Sequence, residues 1–211
     1  KNAKILCGYL KAGIKAVREC TPKALVTLHL ESMGYGKCSE IMNAWERNGV
    51  DYDVFGSSFY QFWQGNSSKN ALAGLQKIEN LAKSRGKMYA VMETSWLNSL
   101  KDADGTPNVI GEGHANAKVY SDMYQTLLSN DNGLGAFYWE GAWIPVKAGW
   151  TNWKYNKDMS DRYGTGWAAQ GAKGYYPDNK MYYNGQPAWG GSSWDNQTLF
   201  DSNGYPLQSL K

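Results

Sequence analysis

An apolar stretch that ends on a carboxylate is the first candidate for chemistry in this sequence. Residues Met88 to Met92 are all apolar or aromatic, and Glu93 follows them directly, with Trp96 shortly after. Apolar runs of this length, bounded by polar or turn residues, are typical of buried strands in parallel sheets. A buried carboxylate is unfavourable unless it is paired or used. Glu93 is therefore a candidate for nucleophilic or acid–base chemistry, and the alternative is a structural ion pair.

Two further apolar runs end in the same way. Glu31 follows residues 24–30 and Glu140 follows residues 135–139, while a fourth run, residues 53–60, leads into an aromatic loop. Functional side chains gathered at the carboxyl ends of successive strands are typical of the TIM barrel.

Helical periodicity separates these runs. Apolar residues recur at helical spacing in residues 2–17, 38–48, 69–84 and 113–128. Alternation of strands and helices specifies parallel strands with right-handed crossovers, and no glycine-rich phosphate loop follows any of the strands, which argues against a nucleotide-binding sheet. The predicted fold class is therefore α/β. Four strands cannot close a (β/α)8 barrel and would leave open edges, so we expect the C-terminal half of a longer enzyme, with a dimerising half-barrel as the alternative.

Composition narrows the classes of ligand. The 211 residues include 10 Trp and 15 Tyr, and indole rings cover the apolar faces of sugars, so a carbohydrate ligand is favoured. The net charge of +3 is small and unclustered, which argues against nucleic acid as a partner.

There is no transmembrane run and no signal peptide, although the chain begins with Lys1 rather than Met. The three cysteines have neither metal spacing nor the density of a disulfide framework, so their state stays open.

Several segments together carry a specific resemblance. They are TLHLE at 27–31, DYDVFGSSFY at 51–60, METSW at 92–96, FYWEGAWI at 137–144, RYGTGWA at 162–168 and WDNQTLFD at 194–201. In order and spacing they resemble glycoside hydrolase family 53, the endo-β-1,4-galactanases that cut arabinogalactan, and the last two resemble its bacterial branch. The resemblance implies a (β/α)8 TIM barrel. Residues 1–211 would be the C-terminal half of that single catalytic barrel, with strands five to eight in 1–140 and a long substrate-side loop and final segment in 141–211.

The resemblance also assigns a nucleophile. The family cleaves with retention of configuration, using two glutamates, and the one that ends strand seven corresponds to Glu93. The acid/base glutamate follows an asparagine at the end of strand four, and this sequence contains no Asn-Glu dipeptide. We therefore expect the proton donor to lie before Lys1 and the isolated chain to be inactive or nearly so.

Substrate-binding residues are implied in the same way. Trp139 would lie beneath the reacting sugar with Glu140 as its hydrogen-bonding neighbour, and Trp167 and Trp189 are candidates to stack on further galactose units. His29 is expected to position the sugar, and the alternative is a core histidine. For Trp167 and Trp189, the alternative is that they pin the loop to the barrel. The predicted set is His29, Glu31, Tyr60, Trp96, Trp139, Glu140, Trp167 and Trp189.

An oxygen-rich alternation follows the Glu93 strand. Asp102, Asp104 and Asn108 stand at alternating positions of the segment 102–108, an arrangement that can converge on a hard cation such as Ca²⁺, although it is not an EF-hand. A plain polar turn is the alternative. Bacterial members of the family carry calcium in this loop with an Asp-x-Asp-x-His-x-Asn pattern, in which Thr106 here replaces the His. The resemblance thus implies a structural Ca²⁺ held by the three residues.

The function that follows from the resemblance is endo-hydrolysis of β-1,4-galactan, or type I arabinogalactan, with retention. The full-length enzyme is expected to be secreted and monomeric, with no organic cofactor and no nucleic-acid or membrane partner. The alternatives are a non-catalytic carbohydrate-binding module and another retaining endo-glycanase on the same barrel, acting on mannan or xylan.

Overall fold

The structure, a computed structural model, describes residues 2–31, 34–60, 68–95, 117–139, 141–142, 181–183, 186–188, 199–200, 205–207 and 210. The chain divides into two compact units. The first comprises residues 1–59, 69–94 and 123–137, and the second comprises residues 60–68, 95–122 and 138–211.

Helices and strands alternate through the described residues. In chain order they are α1 (Asn2–Cys20), β1 (Thr27–Leu30), α2 (Tyr35–Arg47), β2 (Val54–Phe59), α3 (Ser68–Lys83), β3 (Met88–Thr94), α4 (Ala117–Leu128) and β4 (Gly133–Tyr138), followed by the short strands β5 (Met181–Tyr183) and β6 (Gln186–Ala188). The predicted order of helix, then alternating strands and helices, then a last strand is confirmed.

The four longer strands form one sheet in the order β1-β2-β3-β4. β1 pairs in parallel with β2, with Thr27 opposite Val54, and β2 pairs in parallel with β3, with Val54 opposite Met88. Sequential neighbours in a parallel sheet are what the strand–helix alternation predicts. The carboxyl ends of these strands therefore lie along one edge of the sheet.

Aromatic packing fixes which face of the sheet meets the helices. Phe55 on β2 and Tyr89 on β3 are fully buried, and their ring centroids lie 6.4 Å apart. The ring of Trp45, on α2, lies 6.1 Å from that of Phe55, and the Ser57 hydroxyl is hydrogen bonded to that of Tyr89 at 2.6 Å. Because side chains alternate along a strand, Gly56 and Ser58 belong to the opposite face.

Asp53 links α1 and β1 at the start of β2. It accepts the backbone N–H of Val26 at 2.7 Å and a hydrogen bond from Arg18 at 3.0 Å, while Arg18 also donates to the carbonyl of Ala24 at 3.1 Å. Burial alone would raise the pKa of Asp53, but the Val26 hydrogen bond and the Arg18 guanidinium outweigh it and lower that pKa. The Ala24 carbonyl and the Val26 N–H are thus bonded to side chains rather than to a neighbouring strand. β1 accordingly begins at Thr27 rather than at the predicted Ala24.

Other boundaries also differ from the predicted ones. α1 continues past Val17 to Cys20, with the N–H of Thr21 still bonded to the Val17 carbonyl at 2.7 Å, before Pro22 ends it. α2 begins at Tyr35 rather than at residue 38, because its N-cap is Gly34, which has no side chain to mark a helix start.

Two features were not predicted. β5 and β6 pair as an antiparallel sheet inside the segment for which no periodicity was found, because strands of three residues are too short to show alternation. All three cysteines are free, with Cys7 and Cys38 buried and Cys20 exposed. In the described part of the chain, no helix is long and apolar enough to cross a membrane.

Candidate active site

The side chain of Glu93 owes its direction to an irregularity in β3. Val91 pairs with Ser57, but Ser58 pairs with Glu93, so Met92 is an extra residue on β3 at this point. Strict alternation from Tyr89 and Val91 would have placed Glu93 on the face that meets the helices. The extra residue resets the alternation, and Glu93 shares a face with Ser58 instead.

The next residue along the strand confirms this direction. Thr94 pairs with Phe59 and is almost completely buried, and its hydroxyl lies 4.0 Å from the sulfur of Met123 on α4. Thr94 therefore faces the helix layer, and Glu93, one residue earlier, faces away from it. β-Bulges are frequent beside active sites, where they re-aim a side chain.

Gly56 makes room for the bulge. A Cβ atom at Gly56 would collide with Cγ of Met92 and lie 3.1 Å from Cγ2 of Thr27. The side chain of Met92 thus fills the space that any larger residue at position 56 would need. A glycine in a strand interior often marks such a close approach.

His29 lies on the same face as Ser58. Its Nε2 is 2.9 Å from the Ser58 hydroxyl oxygen, and its ring is exposed whereas Ser58 is 1% exposed. His29, Ser58 and Glu93 therefore follow one another across three neighbouring strands. His29 is thus an exposed strand-end side chain, not the core histidine that was the alternative.

Three more predicted site residues lie in the described part of the chain. Glu31 follows β1 and is exposed. In the second unit, Tyr60 follows β2 and is 4% exposed, and Trp139 follows β4 and is 42% exposed. Each stands directly after its strand, whereas the predicted strands 53–60 and 135–139 included Tyr60 and Trp139 as their last residues. An exposed indole at a strand end is available to stack on a sugar ring.

The second unit fixes the chain on both sides of Trp139. Tyr120 on α4 donates to the Tyr138 hydroxyl at 2.9 Å, with the two rings 5.6 Å apart edge to face. Just after Trp139, the carbonyl of Gly141 accepts the N–H of Leu199 at 2.8 Å. The backbone around the indole is therefore tied down by contacts within its own unit.

The remaining predicted residues lie outside the described residues. They are the substrate-binding candidates Trp96, Glu140, Trp167 and Trp189, and the calcium candidates Asp102, Asp104 and Asn108. Among the residues that the structure does describe, no cluster of three or more His, Cys, Asp or Glu side chains is placed to hold a metal ion.

Ser58 is the site residue that sequence reasoning missed. A serine inside an apolar strand carries no sequence signal of function. Its position beside Glu93 depends on the bulge at Met92, which no residue type in β3 marks.

Comparison with known proteins identifies the family. The profile of glycosyl hydrolase family 53 matches residues 1–211. The chain belongs to this family. It is 36% identical to the endo-β-1,4-galactanase of Bacillus subtilis over 98% of the chain and 48% of that enzyme, and 28% identical to the arabinogalactan endo-β-1,4-galactanase of Thermothelomyces thermophilus over 59% of the chain and 40% of that enzyme.

A solved family 53 catalytic domain from Ignisphaera aggregans has the same fold. It matches 99% of the chain and 51% of its own length, with a TM-score of 0.65 and 26% identity. Family 53 structures are (β/α)8 barrels, and the four-stranded sheet of this chain corresponds to part of one, as predicted. The chain spans about half the length of the family 53 relatives it matches.

Proposed function

We propose that these 211 residues form the C-terminal half of an endo-β-1,4-galactanase, with β1 to β4 as barrel strands five to eight. The observation that carries the proposal is the direction of Glu93, which a bulge turns toward the face of His29 and Ser58 in a family 53 chain. The printed names of the curated relatives, endo-β-1,4-galactanase and arabinogalactan endo-β-1,4-galactanase, support galactan as the substrate.

Glu93 is the nucleophile in this proposal. Its carboxylate forms a bond to the anomeric carbon while the bond to the leaving sugar oxygen breaks, and that oxygen takes a proton from a second carboxylic acid. Water then attacks the same carbon, releases Glu93 and restores the starting configuration. The second carboxyl group must lie about 5 Å from the first in a retaining enzyme.

The acid/base group comes from outside these residues in this proposal. No Asn-Glu dipeptide occurs in the 211 residues, and the family relatives are about twice as long. The chain by itself would then bind galactan weakly and hydrolyse it very slowly, because a nucleophile without a proton donor cannot expel an ordinary sugar.

Binding subsites and cellular location complete the proposal. By resemblance to the family, we assign Trp139 to stacking on the reacting sugar and Trp167 and Trp189 to stacking on further galactose units. A galactan polymer is too large to enter a cell, so the enzyme acts outside it.

The test replaces Glu93 in the full-length protein that contains this chain. Wild-type protein should cleave β-1,4-galactan in preference to mannan and xylan, and Glu93→Gln should lower kcat by at least about 10³-fold. The matched control is Glu40→Gln, which changes an exposed glutamate on α2 and should leave kcat unchanged.

A chemical rescue separates a nucleophile from other roles. Glu93→Gly should regain turnover of an aryl β-galactoside when azide is added, and the product should be the α-galactosyl azide, because azide attacks from the side that the carboxylate vacated. A β-galactosyl azide would instead assign Glu93 the acid/base role and contradict the proposal. Binding of galactan without any cleavage would indicate a carbohydrate-binding module.

A further inference from the structure

Ser58 has His29 on the neighbouring strand β1 and Glu93 on the neighbouring strand β3, and an imidazole can donate a hydrogen bond whereas a carboxylate cannot. On the β1 side, Nε2 of His29 is 2.9 Å from Ser58 Oγ. On the β3 side, Glu93 is the register partner of Ser58 and lies on the same face of the sheet. Adjacent strands are about 4.8 Å apart, so the two side chains are neighbours on that face, at a spacing that a serine hydroxyl and the longer glutamate side chain can span.

The single proton of this hydroxyl limits the possible arrangements. An ionised carboxylate only accepts hydrogen bonds, whereas a neutral imidazole nitrogen either donates or accepts. If Ser58 gave its proton to His29, it would present only lone pairs to Glu93, and oxygen would face oxygen. Among arrangements that join these three groups, one gives each of them a partner: Nε2–H of His29 donates to Ser58, and the hydroxyl of Ser58 donates to Glu93.

Burial makes the direction of this hydroxyl matter. Ser58 is 1% exposed, so water cannot freely replace either partner. A hydrogen bond to a charged group is roughly twice as strong as a neutral one. The hydroxyl therefore holds its position relative to the carboxylate more firmly than an exposed serine would.

We propose that Ser58 is a positioning residue for the nucleophile, which receives the Nε2–H of His29 and donates its own hydrogen to Glu93. This rests on the proposed role of Glu93 and adds a residue to it. The chain of two hydrogen bonds fixes one tautomer of His29, with the proton on Nε2, and one orientation of the Glu93 carboxylate. His29 in turn presents its other ring nitrogen to the sugar as an acceptor.

A neighbouring serine provides a matched control. Ser57 is fully buried on the same strand, and its hydroxyl is bonded to that of Tyr89 at 2.6 Å on the helix-facing side of the sheet. Ser57→Ala and Ser58→Ala therefore remove the same hydrogen-bonded group from two buried positions of one strand, on opposite faces. A purely structural role for Ser58 would make the two variants alike.

The kinetic experiment uses the full-length protein. Ser58→Ala should lower kcat on galactan about 10- to 100-fold with KM changed less than about twofold, because a misplaced nucleophile impairs the chemical step more than binding. Ser57→Ala should keep kcat within about twofold of wild type. Its melting temperature should fall about as much as that of Ser58→Ala. Equal kcat values for the two variants would overturn the proposal.

A spectroscopic experiment tests the hydrogen bonds without relying on activity. Long-range ¹H–¹⁵N spectra at about pH 8 should show the ring of His29 with its proton on Nε2, assigned by the signals that disappear in His29→Gln. Ser58→Ala should convert this ring to a mixture of tautomers, and Ser57→Ala should not. A proton on Nδ1 in the wild-type protein would overturn the proposal even if Ser58→Ala failed to fold.

The two measurements separate this inference from the proposed function. If the wild-type protein did not cleave galactan but His29 carried its proton on Nε2 in a manner that depended on Ser58, the hydrogen-bond chain would stand and the substrate would be wrong. If galactan were cleaved normally by Ser58→Ala, the function would stand and the positioning role would be wrong.

Discussion

At the scale of single residues, Glu79 is the buried carboxyl group whose ionisation opposes folding. It lies on α3 with no exposed surface, and Asn130 donates to its Oε2 at 2.8 Å, while its Oε1 has no hydrogen-bond partner among the described residues. A Cβ atom at Gly133 would lie 2.6 Å from that oxygen. Burial raises the pKa of Glu79, against the opposing effects of the Asn130 hydrogen bond and the charge of Lys83.

This raised pKa predicts a pH dependence of stability. Between the unfolded and the folded pKa of Glu79, the folded state binds more protons, so the free energy of unfolding falls as pH rises. The contribution is fully present below the unfolded pKa and is lost as pH rises through the folded one. Glu79→Gln cannot ionise, so it should gain stability relative to wild type as pH rises from the ordinary pKa of a glutamate, about 4.3, through the raised pKa of Glu79.

Urea unfolding over this pH range measures the effect. Glu40→Gln, at an exposed position on α2, is the control and should follow the wild-type curve. If the curve for Glu79→Gln ran parallel to that of wild type, ionisation of Glu79 would carry no folding energy.

At the scale of elements, the bulge in β3 depends on Gly56 in β2. Gly56→Ala adds a methyl group where Met92 lies, and overpacking of this kind costs about 1–3 kcal/mol. Because the bulge also aims Glu93, we expect Gly56→Ala to lower both the free energy of unfolding and kcat.

A second substitution tests whether the collision with Met92 causes the loss of stability in Gly56→Ala. Met92→Ala removes the side chain that the new methyl group would meet, so the double variant Gly56→Ala/Met92→Ala should be more stable than the sum of the two single effects predicts. Urea unfolding and kcat on galactan, measured for all four proteins, complete the cycle. Strictly additive free energies would show that the collision with Met92 does not determine the bulge.

The same bulge separates what sequence reveals from what only structure reveals. The apolar runs and helical repeats predict the order of elements, and the position of Glu93 at a strand end is visible in its polar character. The face on which Glu93 lies is not, since alternation from Tyr89 and Val91 predicts the wrong one. Ser58 was missed for the same reason, because its relation to Glu93 follows from register rather than from residue type.

At the scale of the whole molecule, the outer elements of the sheet carry apolar surface. Exposed large side chains include Leu6 and Tyr9 on α1, Leu25 before β1, and Leu134 and Phe137 on β4. β1 and β4 are the end strands of the described order. Exposed large apolar side chains on these end elements are the surface that further strands and helices of a completed barrel would cover.

Calcium binding is the last expectation to be tested on the whole protein. If Asp102, Asp104 and Asn108 hold Ca²⁺ only in the folded state, free calcium at 100 times its Kd stabilises the full-length enzyme by about 2.7 kcal/mol. Chelation should therefore lower the melting temperature, and added Ca²⁺ should restore it where Mg²⁺, which demands a stricter octahedral geometry, does not. Asp102→Asn with Asp104→Asn should abolish the response, whereas Asp51→Asn, at an exposed position before β2, should retain it. An unchanged melting temperature on chelation would indicate that the segment 102–108 is a polar turn.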